Sequence, residues 1–315
     1  MGKVIDLRIE ALKRFAAAIT ILNIAGHAFL GFEQSWAHPV AALMTAYALE
    51  LSFEWLHCKL YGLRPRYKGG VKKFILFLLP AHITGLAVSM LLFSNERIVP
   101  IVFATAVAIL SKIVFRVKVN GHSRHFLNPS NTGIALTLIL FPWISIAPPY
   151  QFTENTSGIV DWLLPLAFIC VGSFLNIKLT KKMPLILAWF AGFISQALLR
   201  SLILEAPLLA ALNPMTGVAF LLFSFYMISD PATTPNSLKN QILFGSSIAL
   251  FYGLLVYFHV VFGLFFALLI VCSMRGFYLW ITGFVVKPAL EREGAFPDLP
   301  LQTTEPYLNV QTKAG

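Results

Sequence analysis

The chain has 315 residues, 57% of them hydrophobic and 12% charged, with a mean hydropathy of +0.75. That balance excludes an ordinary soluble domain, and a formal net charge of +10 then belongs to the Lys- and Arg-rich loops of a membrane protein rather than to a nucleic-acid surface. Cys58, Cys170 and Cys272 are scattered, with neither a Cys-x-x-Cys pair nor an even number to build a disulfide framework.

The N-terminal "MGKVIDLRIEALKRF" sets basic residues before an apolar run of transmembrane length, and no small-residue cleavage site follows, so the reading is a retained first span. Asp6 stands where a myristoylation signal needs Ser or Thr. A span needs roughly 20 apolar residues to cross a hydrocarbon core of ~30 Å. Ten segments qualify, near 15–32, 39–58, 74–93, 98–115, 130–147, 159–177, 184–204, 214–229, 241–258 and 260–286. With the N-terminus inside, 22 of the 24 Lys and Arg fall on inner segments and only Arg97 and Arg200 outside. This charge bias predicts a multi-pass protein of the plasma (inner) membrane, in contact with the lipid bilayer and with both termini cytoplasmic.

In the second span, Glu50, Glu54 and His57 are spaced four and three apart and share one helix face. Ionisable groups at membrane depth serve proton or ion paths, and the competing reading pairs Glu54 with Lys59 or Arg64 at the cytoplasmic end. Glu54 and His57 also form a Glu-x-x-His pair, but a di-iron site needs carboxylates from other helices, which the spans do not supply, so no metal is expected. His27 and His82 read as histidines that bond a neighbouring helix rather than as haem ligands.

A phrase recurs along the chain: "PAHITGLA" from Pro80, "PSNTGIA" from Pro129 and "PMTGVA" from Pro214. The third and eighth spans carry two copies, and an offset of five spans makes them cross in opposite directions, the mark of an inverted repeat. The expected fold is all-α, about ten transmembrane helices in two inverted five-helix repeats, 1–147 and 148–288, followed by a flexible cytoplasmic tail, 289–315. Asn128 and Asn213 each precede a proline, a pairing that suits an N-cap followed by the first helical residue. The glycines, Gly85 and Gly217, let a backbone or a flat ligand approach, which with Thr84 and Thr216 makes all four candidate cofactor-binding residues, or they simply allow helices to pack.

Two polar segments, "FLNPSNTG" and "SDPATTPNS", fall at the cytoplasmic boundary in this topology. Asn128, Pro129, Ser130, Asn131, Thr132, Asp230, Thr233 and Thr234 form a candidate cofactor pocket, with cap and turn residues that end a helix as the alternative.

The stretches "ITGLAVSMLL", "FLNPSNTGIALTLILFP" and "GVAFLLFSFYMISDPATTP", with Glu54 followed by "KLYGLRP", resemble the RnfD/NqrB family of membrane subunits from ion-pumping redox complexes. Within it, "SRHFLNPSNTGIALTLILFPWISIAPPYQFTENTSGIVDWLLPL" is similar to the branch labelled enediyne biosynthesis membrane protein. The resemblance implies ten spans in inverted halves, partner redox subunits and a non-covalent flavin, riboflavin or FMN, near the cytoplasmic face. Its members also carry FMN on a threonine of a Ser-Gly-Ala-Thr-like motif. That tetrapeptide is absent here, the outer Thr153 and Thr156 lack it, and covalent FMN is not expected. The functions in contention are an electron-transfer subunit, a solute channel or transporter on the same plan, and an assembly subunit.

Overall fold

A computed structural model describes residues 7–119, 122–148 and 152–292. The first six residues and most of the expected tail lie outside the described residues. Eleven α-helices dominate: α1 Leu7–Ala25, α2 Ala37–Tyr61, α3 Val71–Leu91, α4 Val99–Val114, α5 Pro129–Leu140, α6 Val160–Leu175, α7 Met183–Leu204, α8 Leu208–Leu212, α9 Val218–Leu222, α10 Leu238–Tyr257 and α11 Gly263–Arg292. Two small antiparallel ribbons and four short π or 3₁₀ turns complete the described secondary structure. β1 (Leu92–Phe93) pairs with β4 (Ser145–Ile146), and β2 (Arg116–Val119) pairs with β3 (His122–His125).

Among the described residues five helices are long and apolar enough to cross a membrane, and a sixth span results if the bent pair Leu208–Thr216 and Val218–Met227 counts as one. The chain is a multi-pass helical membrane protein by helix length and hydropathy. Large apolar side chains on its periphery, such as Trp162 at 80% exposure and Leu209 at 85%, suit contact with lipid rather than water. Each of the ten segments read from the sequence coincides with helix, but not all have the form expected of a span. α4 and α5 hold only 16 and 12 residues. The run 130–147 stops being helical at Leu140 because Phe141 precedes Pro142 and takes φ −121°, ψ 84°. The chain beyond it turns back to pair with β1. The eighth segment is broken: α8 runs into a 3₁₀ turn, Asn213–Thr216, and the axis bends by 68° before α9. Asn213 therefore lies inside the 3₁₀ turn and makes no side-chain cap, unlike Asn128.

α1 and α6 end alike. Each runs into one π-helical turn, Gly26–Leu30 or Asn176–Thr180, stopped by a left-handed residue, Gly31 (φ 86°) or Lys181 (φ 56°). One residue further on, Phe32 N donates to Gly26 O and Lys182 N donates to Asn176 O, both at 3.0 Å. The pairings α1 with α3, α2 with α4 and α4 with α5 have counterparts in α6 with α9, α7 with α10 and α10 with α11. Close contacts need glycine. A Cβ on Gly133 of α5 would sit 2.2 Å from Ala104 O of α4, and one on Gly245 of α10 would sit 2.3 Å from Leu185 O of α7. The core continues through Trp189, wholly buried among Phe193, Phe220, Phe223 and Tyr252, where its indole N–H donates to Ser224 Oγ at 2.8 Å.

Candidate functional site

The site grows from the start of α5. Asn128 has extended backbone, φ −68° and ψ 121°, and its Oδ1 accepts from Asn131 N and Ser130 Oγ, both at 3.0 Å. Pro129 takes the first helical position, where a missing N–H costs nothing, and Thr132 Oγ1 donates back to Asn128 O at 2.7 Å. The Asn128 amide then reaches across the molecule, donating through Nδ2 to Met227 O at 3.1 Å, while Asn131 Nδ2 donates to Phe265 O of α11 at 3.0 Å. The first polar segment thus bonds the residue two before "SDPATTPNS" and, separately, α11. The Asn128 backbone lies beside Cys272, midway along the apolar stretch Gly263–Thr282 of α11. At 12 residues, α5 is ~18 Å long, shorter than a hydrocarbon core of ~30 Å.

Below this junction the loop after Met227 closes on itself. Asp230 accepts from Ala232 N at 3.0 Å and from Thr233 Oγ1 at 3.2 Å, and Thr234 Oγ1 donates to the Asp230 carbonyl at 2.6 Å. These are the turn contacts of the alternative reading, and they engage the hydroxyls of Thr233 and Thr234 as donors. Two cations hold the loop from outside through carbonyl oxygens: Arg275 Nη1 donates to Thr233 O at 2.8 Å, and Lys182 Nζ to Pro235 O at 2.7 Å and Asn236 Oδ1 at 2.9 Å. Burial, reinforced by Arg275 and Arg124 against the opposing pull of Asp230, lowers Lys182 to about 8. Burial also brings His125 of β3 down to about 4, with Asp230 opposing and Lys112, Arg116 and Arg124 adding to the fall. The setting is electropositive, with Asp230 as its central carboxylate. Among the described residues the buried acceptor Asn131 Oδ1 has no partner.

Other residues singled out from the sequence go elsewhere. Thr84 donates to Pro80 O at 2.7 Å within α3, and Gly85 packs where a Cβ would stand 3.1 Å from Ala42 O of α2. Thr216 is exposed and donates to Asn213 O, and Gly217 caps α9 at the bend. Glu54 pairs with neither Lys59 nor Arg64: its carboxylate accepts from Arg66 N, Nε and Nη2 at 2.7, 2.9 and 2.7 Å, while Lys59 lies over the Trp55 ring. Glu50 faces Lys112 Nζ at 3.5 Å, and His57 is exposed against Tyr61. The three do not form a buried file. Thr156 Oγ1 donates to Thr153 O and to Asp161 in the loop before α6.

Sequence reasoning passed over Lys182, Arg275, His125 and Asn176. Asn176 is fully buried, and its amide donates to Gly172 O and Phe225 O, tying the end of α6 to the π turn Phe223–Met227. A lone asparagine closing an apolar span was the available signal. No protein-family model matches the chain, and no curated protein matches it.

Proposed function

We propose that this chain is an RnfD/NqrB-like electron-transfer subunit of the plasma membrane, holding a non-covalent flavin where α5 begins and working with partner redox subunits. The observation that carries the reading is Asn131 Oδ1, a buried acceptor without a partner among the described residues, in the first turn of α5 that follows the electropositive neighbourhood of His125. An isoalloxazine presents an imide N–H for such an acceptor, and cations with the α5 N-terminus favour the negative charge of its reduced form. The residues fit the group: Asn131 would hold its pyrimidine edge, Asn128 and Ser130 the turn beneath it, and Lys182 and Arg275 the surrounding field. The flavin itself would supply one- and two-electron transfer. Two inverted five-helix halves, 1–147 and 148–288, are part of the same proposal, supported by the matched endings of α1 and α6 and the parallel helix pairings. So is a cytoplasmic N-terminus, supported by the loop charges.

The test is a visible spectrum of the purified chain with extraction of the pigment. The proposal expects a flavin spectrum bleached by dithionite, and loss of flavin per folded molecule in Asn128→Leu, Asn131→Leu and Thr234→Leu. A colourless protein overturns it. One observation favours a solute transporter instead: a half-length α5 and a span bent by 68° are the interrupted helices of transport folds. A colourless protein that passes solute in vesicles selects that reading.

A further inference from the structure

Apart from the flavin site, a second polar system follows α1. Thr20, Asn23 and His27 are spaced three and four apart and share one face of that helix. At its near end, His82 of α3 bridges two helices: Nε2 lies 2.7 Å from Thr20 Oγ1 and Nδ1 lies 2.6 Å from Tyr47 Oη. The proton positions follow from the partners. Thr20 Oγ1 donates its own hydrogen to Ala16 O at 2.7 Å, so it accepts from His82 Nε2–H, which leaves Nδ1 to accept from the Tyr47 hydroxyl. Tyr47, His82 and Thr20, with Lys13 and Lys72, are the polar residues lining an open and otherwise apolar cavity of about 870 Å³.

At the far end, buried polar atoms stand without partners in unusual number. Among the described residues Asn23 Oδ1, His27 Nε2 and Gln34 Oε1 have no partner, and Asn23, Gln34 and His38 are 4%, 4% and 1% exposed. Leaving such groups bare costs free energy that a folded protein normally avoids. His27 Nδ1 donates to Asn23 O at 2.8 Å, which aims Nε2 away from its own helix as an acceptor. The His38 ring is close enough to sense the charge of His27 and lies near the Arg97 backbone. Gln34 and Arg97 line a second, polar depression of about 710 Å³. Asn23 and His27 thus follow Thr20 along α1 and its π turn, and Gln34 lines the second cavity.

We propose that this file, Tyr47–His82–Thr20–Asn23–His27–His38, is a proton path joining the two cavities. A proton arriving from the near cavity binds Tyr47 Oη as the phenol's own proton passes to His82 Nδ1. The Nε2 proton passes to Thr20 Oγ1, whose hydroxyl hydrogen leaves Ala16 O for a water held by Asn23 Oδ1 and His27 Nε2. His38 and Gln34 take the same role towards the far cavity. One proton enters, one leaves and no electron moves. Return of the imidazole to its Nε2–H tautomer resets the relay. Waters with two or more polar partners are the ordinary occupants of such sites. The path uses none of the residues assigned to the flavin.

The experiment is proton flux into phosphatidylcholine vesicles containing the full-length chain and an entrapped pH dye, driven by a potassium gradient with valinomycin. The wild type should acidify the lumen faster than protein-free vesicles. His82→Leu and His27→Leu should each cut that excess at least tenfold, as should Tyr47→Phe, which keeps the ring and removes only the hydroxyl. His57→Leu, outside the file, should not change it. Flux equal to that of empty vesicles overturns the proposal, as does full flux in Tyr47→Phe. A role in helix packing alone predicts reduced thermal stability in these variants and no flux in any of them.

Discussion

Glu54 is 5% exposed, yet the Arg66 that holds it has a side chain 45% exposed. Removing the carboxylate leaves a guanidinium that water can reach, so Glu54→Ala should cost about 1–2 kcal/mol rather than the 3–5 of a fully buried pair. It should also open the loop to proteases between Gly62 and Gly70, which limited trypsin digestion would register. His125 makes a pH prediction. Its folded pKa of about 4 lies below the ordinary 6.5, so between those values the unfolded chain binds a proton that the folded chain refuses. Stability is therefore full above pH 6.5 and falls as pH drops toward 4. His125→Gln should flatten that part of the Tm profile measured in detergent, and an unchanged slope would assign the loss to other groups. The sequence made Asn128 legible as a cap because Asn-Pro before an apolar run has few other uses. It hid Lys182 and Arg275, since a basic residue at a helix end looks the same whether it meets water or a carbonyl.

Among the elements, the π turns closing α1 and α6 end on residues of different suitability. Gly31 accepts φ 86° freely, whereas Lys181 holds φ 56° with a side chain. Lys181→Gly should raise stability by about 1 kcal/mol, and Gly31→Ala should lower it by more, since a Cβ there would also stand 2.8 Å from Asn155 Nδ2. Gly133→Ala and Gly245→Ala press a methyl into a facing carbonyl and should each cost about 3 kcal/mol, seen as a fall in Tm or in folded yield. Hydropathy located the helical segments because apolar length is written in composition. It overran α5, whose apolar residues continue to 147 although Pro142 and the pairing of β4 with β1 end the helix earlier. The 68° bend was equally hidden: Asn213, Pro214 and Gly217 are each compatible with a continuous span, and tertiary packing decides between the two.

For the whole molecule, reporter fusions after residues 66, 120 and 181 should lie in the cytoplasm and those after 95 and 154 outside, and two fusions on the wrong side would overturn the ten-span plan. The ribbon formed by Leu92–Phe93 and Ser145–Ile146 acts on this same scale. It fastens the end of α3 to the chain beyond α5, so that the short helices α4 and α5 lie inside a closed loop. If the two termini are pulled apart, tension crosses the ribbon and bypasses both helices. They bear no load until its few hydrogen bonds shear, which makes that small clasp a mechanical fuse for the first half of the chain.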